Sequence, residues 1–373
     1  MSSYLSSNIL FFFGAGASAP FGIPTMKQFV TDFETSFDQN DENALDQKIV
    51  YSGIKGRLEQ DLGKPVDLEA VFSVIDGLLN YNTEKLGLLS IYLANNGFRK
   101  PSEEIVKICK SLSEKFRDFV KNKCEVPEAA FGKIGSVYRD FFNRFALELG
   151  GKVNRQEDYA WCPDWTIFTT NYDTCIEYYW REKARIGIDT GFDFDLVRHV
   201  SALRSRRFLQ ENIGLQLFKL HGSINWLVEK GTNEVIEVEM EKGRSHMGRR
   251  FLGEMMIYPI AEKELYLDPY ISMLLRLNRE LESKKVWIII GYSFNDPVIR
   301  EIFSKESSKD KKIILVHPNA EGIFNERLQG VQGDVVRLKS MFGMEDSFQM
   351  VNHALISKLV SKPRIDPNTN PIP

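Results

Sequence analysis

Six short runs of apolar residues, dense and without alternation, set the strongest limit on what this chain can fold into: 9–13, 165–168, 215–220, 255–258, 286–290 and 313–316. A strand with one face in water alternates apolar and polar side chains. A strand covered on both faces reads as a continuous apolar run. Helical patterns separate these runs, so the expected fold is α/β: a Rossmann-like, mostly parallel sheet with helices on both faces. A chain of 373 residues is long enough to bury such a sheet without disulfide staples.

The stretch from about residue 37 to about 150 reads differently. Leu68, Val71, Phe72, Ile75, Leu78 and Leu79 fall on one helical face. Ile105, Ile108, Leu112, Phe116 and Phe119 fall on another, behind Pro101 and two glutamates that suit a helix's positive end. No strand of comparable strength interrupts them. The expected organisation is therefore a sheet domain from residues 1–36 and 151–361, a helical insertion over 37–150, and an extended tail over 362–373, where KPRIDPNTNPIP is polar and proline-rich. Asp268-Pro269 and Asp296-Pro297 each announce a helix, with Asp as N-cap and Pro as first helical residue.

Five of the strand ends carry glycine or small polar groups. After the first comes Gly14-Ala15-Gly16-Ala17-Ser18, where the glycines permit a sharp turn and an open backbone approach. Free N–H groups beside a helix N-terminus suit phosphate, although a plain strand-to-helix turn explains the same residues. The segment matches neither G-x-G-x-x-G nor a Walker loop. After the second run come Thr170, Asn171 and Asp173, either facing a ligand or capping the next helix; for Asp173 alone the cap is the simpler reading. The third ends in Lys219-Leu220-His221-Gly222-Ser223, and a histidine there is either a structural residue or a general base. The fourth ends in Gly291-Tyr292-Ser293, where Ser293 can donate to a phosphate or ribose oxygen, and the fifth in His317-Pro318-Asn319, polar groups suited to a ribose or base edge. In a parallel sheet all five ends lie on one edge, where α/β proteins bind ligands.

Charge narrows the classes further. Lys plus Arg is 48 and Asp plus Glu is 51, a formal net charge of -3, which argues against a chain whose task is to coat nucleic acid or a membrane surface. The Arg-rich segments 198–207 and 242–250 suit a partner, an oligomer contact or nucleic acid, and a solvated basic face explains them equally well. The four cysteines, Cys109, Cys124, Cys162 and Cys175, form no C-x-x-C pair, and the remaining histidines show no metal spacing, so no metal is expected. The N-terminal apolar run lacks a basic flank and the length of a signal or membrane segment, so the expected setting is the cytoplasm.

Taken in order, GAGAS…GIP, TTNYD, KLHGS, GYS and VHPN resemble the sirtuin-like family, over about residues 8–37 and 160–320. The closest resemblance is to the bacterial branch that lacks the zinc module and serves antiphage defence by depleting NAD. The resemblance implies that Gly14, Ala15, Gly16 and Ser18 hold the NAD phosphates. It places Thr170, Asn171 and Asp173 beside the nicotinamide end, makes His221 the general base, and sets Gly291, Ser293 and Asn319 against the rest of the dinucleotide. Deacylating relatives follow GIP with Asp-Phe-Arg and carry two C-x-x-C pairs; this chain has Thr25-Met26-Lys27 and no such pairs.

The activity so implied is NAD+ hydrolysis to nicotinamide and ADP-ribose, with Asn171 and His221 as catalytic residues and NAD+ as substrate. A lethal activity requires control, so the resemblance also implies a homo-oligomer or a partner, a HerA-like hexameric ATPase being the leading one. An NAD-dependent protein deacylase and a non-catalytic NAD or ADP-ribose sensor are the alternatives. The first is distinguished by turnover that needs an acylated peptide, the second by binding without turnover.

Overall fold

The computed structural model describes residues 8–37, 44–66, 68–79, 103–148, 165–195, 200–203, 214–229, 234–238, 251–256 and 268–339. The 362–373 tail, Cys162 and the basic segment 242–250 lie outside these residues. Five of the expected runs become strands of one sheet: β1 (Ile9–Phe13), β2 (Thr166–Thr169), β5 (Gln216–Lys219), β9 (Val286–Ile290) and β10 (Lys312–Val316). A further strand, β11 (Asp334–Leu338), completes the order β11-β10-β9-β1-β2-β5, every neighbouring pair parallel. This is the Rossmann-like arrangement expected from the apolar runs. β11 was not expected because its side chains are exposed or half-buried, as suits an edge strand that lacks an unbroken apolar run.

The register puts the strand ends in one row. Phe13 pairs with Thr169 and with Ile290, Thr169 with Lys219, and Ile290 with Val316. Residues that follow these positions therefore emerge together at the carboxyl edge. The chain turns from β1 to β2 on one side of the sheet and reaches β9 on the other, so the β1 and β9 ends flank the switch point where such sheets open a crevice.

Alternate residues of each strand feed two cores. Phe11, Phe13, Ile167, Leu217, Ile288 and Ile290 pack with Tyr138, Phe141 and Phe142 of α6 (Phe131–Glu148) and with Ile176 of α7 (Cys175–Tyr178). Leu10, Phe12, Phe168, Phe218, Trp287 and Ile289 pack on the other face. Their partners there are Met273 and Leu277 of α8 (Tyr270–Ser283), Phe303 of α9 (Pro297–Glu306) and Ile323 of α10 (Ala320–Arg327). Burial on both faces is the physical reason the strands read as unbroken apolar runs.

A second sheet was not foreseen. β3 (Phe192–Asp195), β4 (Val200–Leu203), β6 (Gly222–Glu229), β7 (Val235–Glu237) and β8 (Phe251–Met256) form an antiparallel sheet in the order β3-β4-β7-β6-β8. The 255–258 run, expected in the parallel sheet, instead supplies part of β8; its residues 257–258 are not among those described. Part of the basic 198–207 segment becomes β4.

The helical region also divides differently from the boundaries at 37 and 150. Besides α1 (Ala15–Ser18), its helices are α2 (Met26–Thr35), α3 (Ala44–Leu62), α4 (Leu68–Leu79) and α5 (Glu103–Cys124). Phe29 and Phe33 of α2 join Tyr51, Phe72, Leu112 and Phe116 in one helical core, while α6 belongs to the sheet layer. The buried face of α5 runs through Cys109, Leu112, Phe116, Val120 and Cys124. It is rotated from the expected one, and Ile105 is left exposed. Asp268 does not cap α8: that role falls to Pro269, which follows a cis peptide bond. No helix among the described residues is long and apolar enough to cross a membrane.

The ring of Phe141 lies fully buried against Phe11 and Phe13, with centroids 5.9 and 6.4 Å away. Phe141→Ala is expected to lower unfolding free energy by about 3–5 kcal/mol, measured by urea titration. A loss below about 1 kcal/mol would return α6 to the insertion.

Candidate functional site

The loop after β1 is locked to the loop after β9 by backbone. Gly14 N–H donates to the Ile290 carbonyl at 2.9 Å and Gly16 N–H to the Gly291 carbonyl at 3.0 Å. A Cβ on Gly14 would lie 2.6 Å from the Gly291 carbonyl and the Tyr292 Cα. One on Gly291, where φ is +67°, would lie 2.5 Å from Gly16 and Ala17 backbone atoms. These glycines thus permit contact between loops. Gly16 spends its N–H on that contact, whereas the N–H of half-buried Ala15 takes no hydrogen bond among the described residues.

Asn171, after β2, is bound into the same loop. Its Nδ2 donates to the Gly14 carbonyl at 3.0 Å and to Ser18 Oγ at 2.9 Å, and its backbone N–H donates to Thr169 Oγ1. The Gly14 carbonyl can only accept, so this network fixes which way the amide points. Oδ1 is left without a hydrogen bond among the described residues, as is Thr170 Oγ1. Ser18, 2% exposed, holds Asn171.

Asp173 points inward. It is 4% exposed, and Oδ1 accepts from the Cys175 N–H at 3.0 Å. This is an Asx turn that leads the chain into α7 and not the helix cap expected from the sequence, since Thr174 holds the N-cap position and no side chain caps the helix. Beneath it lies Lys219, whose Nζ donates to Glu177 Oε1 at 2.8 Å and to the carbonyls of Tyr172 and Asp173. Lys219 and Glu177 side chains are 1% and 4% exposed. Burial pushes the thiol of Cys175 well up, and the neighbouring Asp173 carboxylate adds to the effect, so this cysteine is an inert packing group.

His221 sits where the chain leaves the parallel sheet for the antiparallel one, at the turn between β5 and β6. Gly222 makes that turn at φ +82°, a conformation glycine adopts without a steric penalty. The imidazole lies 6.5 Å from the Tyr172 ring, and its Nε2 is 3.2 Å from Asp296 Oδ2. Asp296 is also the N-cap of α9: Oδ1 accepts from the Val298 and Ile299 N–H groups at 2.8 and 3.2 Å. Burial works against ionising this carboxyl. His221, by hydrogen bond and charge, and the two N–H groups outweigh burial and lower its pKa.

Between Gly291 and Asp296, the loop is held from two sides. Arg327 Nη1 donates to the Ser293 carbonyl, and Phe294 is fully buried at φ +57°, a strained backbone for a bulky residue. Ser293 Oγ takes no hydrogen bond among the described residues. Asn319 is exposed and caps α10, its Oδ1 accepting from Gly322 N–H at 3.3 Å. Its own N–H donates to His317 Nδ1 at 3.0 Å. Burial, assisted by the Arg327 charge, brings the His317 pKa down to about 4.

These contacts close a circuit at the sheet edge: the Gly14 loop to Asn171, Tyr172 to His221, His221 to Asp296, and Gly291 back to Gly16. Asp173 stands below the circuit and Asn319 beside it. Four further residues, Lys219, Glu177, Asp296 and Arg327, position the circuit. Sequence reading passed over three and saw Asp296 only as a cap. Lys219 alone had a legible signal, a charged residue inside an apolar strand, where a buried charge requires a partner.

Lys219→Met is expected to cost about 3–5 kcal/mol by stranding Glu177, with partial recovery in Lys219→Met/Glu177→Gln, measured by urea unfolding. The His317 prediction concerns pH. Its pKa falls from 6.5 unfolded to about 4 folded, so below pH 6.5 the unfolded chain binds more protons. Stability should therefore drop as pH falls from 6.5 towards 4. His317→Gln should flatten that part of a melting temperature against pH curve.

Residues 166–332 match the model of the SIR2-like domain. No curated protein matches the chain. Among solved structures, a SIR2 homologue in complex with NAD is 17% identical, with 95% of this chain and 93% of that chain covered, at a TM-score of 0.41. Sir2Tm bound to a propionylated peptide is 11% identical, with 93% of each chain covered, at a TM-score of 0.38. Over the segment that holds Asn171, His221, Gly291, Ser293 and Asn319, this chain is thus similar to the SIR2-like domain, which supports a sirtuin-like family.

Proposed function

We propose that the protein is an NAD+ glycohydrolase that releases nicotinamide and ADP-ribose. The observation that carries this reading is the set of groups around the circuit that take no hydrogen bond among the described residues: the Ala15 N–H, Thr170 Oγ1, Asn171 Oδ1, His221 Nδ1 and Ser293 Oγ. They combine donors, acceptors and one titratable base on a single sheet edge. That is the chemistry a dinucleotide with phosphates, two riboses and a departing amide ring needs.

Cleavage of the ribosyl–nicotinamide bond passes through an oxocarbenium-like state, as in other glycosidic cleavages. Nicotinamide leaves as a neutral molecule, so the site needs no strong general acid. Asn171, its Nδ2 pinned by the Gly14 loop, offers Oδ1 to a water or a ribose hydroxyl. His221 accepts the proton, a contribution on the order of 10²–10⁴-fold. The β1 and β9 loops hold the phosphates through Ala15 and Ser293.

An activity that drains NAD must be restrained in the cell. We place that restraint in a homo-oligomer or in a HerA-like ATPase partner, with antiphage defence as the purpose. NAD consumption is therefore measured for the protein alone and with that ATPase. His221→Ala and Asn171→Ala are each expected to slow nicotinamide release at least about 10²-fold while the fold is kept, as checked by thermal unfolding. Parent-like rates in both variants would overturn the assignment. Turnover that required an acylated peptide would identify a deacylase instead.

A further inference from the structure

Asp296 joins two parts of the molecule that have no sequence proximity. Its Oδ1 is consumed by the α9 N-terminus, where it accepts from two backbone N–H groups, while Oδ2 reaches His221 Nε2 at 3.2 Å. The two side chains are only 14% and 20% exposed. The carboxylate has little freedom to leave this position, because the helix cap fixes the plane of its two oxygens. The approach to it is equally constrained. Phe294, at φ +57°, has its ring wedged 4.8 Å from Tyr292 and 5.2 Å from Phe303, and Arg327 grips the carbonyl of Ser293.

An ionised carboxylate can only accept hydrogen bonds, so the imidazole nitrogen facing it carries the proton. Neutral imidazole has one proton to place. With it on Nε2, the lone pair resides on Nδ1, which takes no hydrogen bond among the described residues.

We infer that Asp296 is the positioning residue of His221: it selects the Nε2–H tautomer, orients the ring, and makes Nδ1 the nitrogen that acts on the ligand. When Nδ1 accepts a proton from a hydroxyl or water, the ring becomes imidazolium and Asp296 remains ionised beside it. No proton passes to the carboxylate. The inference rests on the NAD-cleaving reading for its kinetic consequence, but the tautomer is a property of the free protein.

Asp296→Asn separates this role from the helix cap. Asparagine caps a helix as well as aspartate does, so α9 and the unfolding midpoint should stay close to the parent's. Its amide nitrogen, however, can meet Nε2 only by donating, which forces the proton onto Nδ1. The full-length protein is labelled with 15N-histidine and its ring nitrogens are read by NMR at pH 8, with His221→Ala assigning the resonances among the five histidines. The parent should show His221 protonated at Nε2 alone, and Asp296→Asn should shift the proton to Nδ1. With NAD as substrate, kcat should fall on the order of 10²–10⁴-fold with KM within about twofold, because binding groups are untouched.

A parent ring protonated at Nδ1, or at both nitrogens, overturns the inference. So does a variant whose tautomer and kcat match the parent's. A parent protein that leaves NAD intact, with and without the ATPase, counts against the NAD-cleaving reading alone, and the ring nitrogens still decide the role of Asp296.

Discussion

The buried cation of Lys219 is the contact on which the site depends. Its ammonium sits at the end of β5 and reaches across to the loop after β2, where it meets the Glu177 carboxylate and the carbonyls of Tyr172 and Asp173. Asn171 lies just before that loop's gripped carbonyls, and His221 lies two residues beyond the lysine. One interaction therefore sets the separation of the two groups proposed to do chemistry. A buried ion pair is poor value for stability, since desolvation offsets much of the attraction. Its virtue here is that three acceptors at fixed positions admit a single arrangement of two neighbouring strand ends.

The second constraint is backbone against backbone. Gly14 and Gly291 pack so closely that a Cβ on either meets main-chain atoms at 2.5–2.6 Å, and main-chain atoms cannot swing aside as a side chain can. The β1 and β9 loops thus act as one body, and Asn171 is attached to it through Gly14 and Ser18. His221 is attached from the opposite direction, through Asp296 and the turn at Phe294. The helical core reaches this assembly too, through partial packing of Tyr172 and through Ile224 of β6. The region read as an insertion is in contact with the segment between Asn171 and His221.

Much of the parallel sheet was legible because burial on both faces leaves a plain mark: β1 and β9 coincide with their apolar runs to the residue. β11 was not legible, since an edge strand with half-exposed side chains has no such mark. The antiparallel sheet failed to register for a related reason. Its strands pair locally and include Phe192–Asp195, where phenylalanine and aspartate alternate, a pattern weaker than an apolar run. The helix α6 was misplaced because periodicity shows that a helix has an apolar face without showing what that face meets. Phe141 and Phe142 look in sequence just like Phe116 and Phe119, yet one pair packs on the sheet and the other lies in the helical core.

Within the site, the limits of reading were about partners more than positions. Asn171, His221, Gly291 and Ser293 all emerge at the expected edge, but sequence gives no sign that Ser18 faces Asn171 or that Asp173 turns inward. Asp296 shows why capping and site roles should not be weighed as rivals. A carboxylate has two oxygens, and a helix N-terminus needs only one of them. The cap immobilises the group, and the immobilised second oxygen is then a precise anchor for a ring on another strand. A residue explained by local structure is thereby better suited, not less, to hold a distant one.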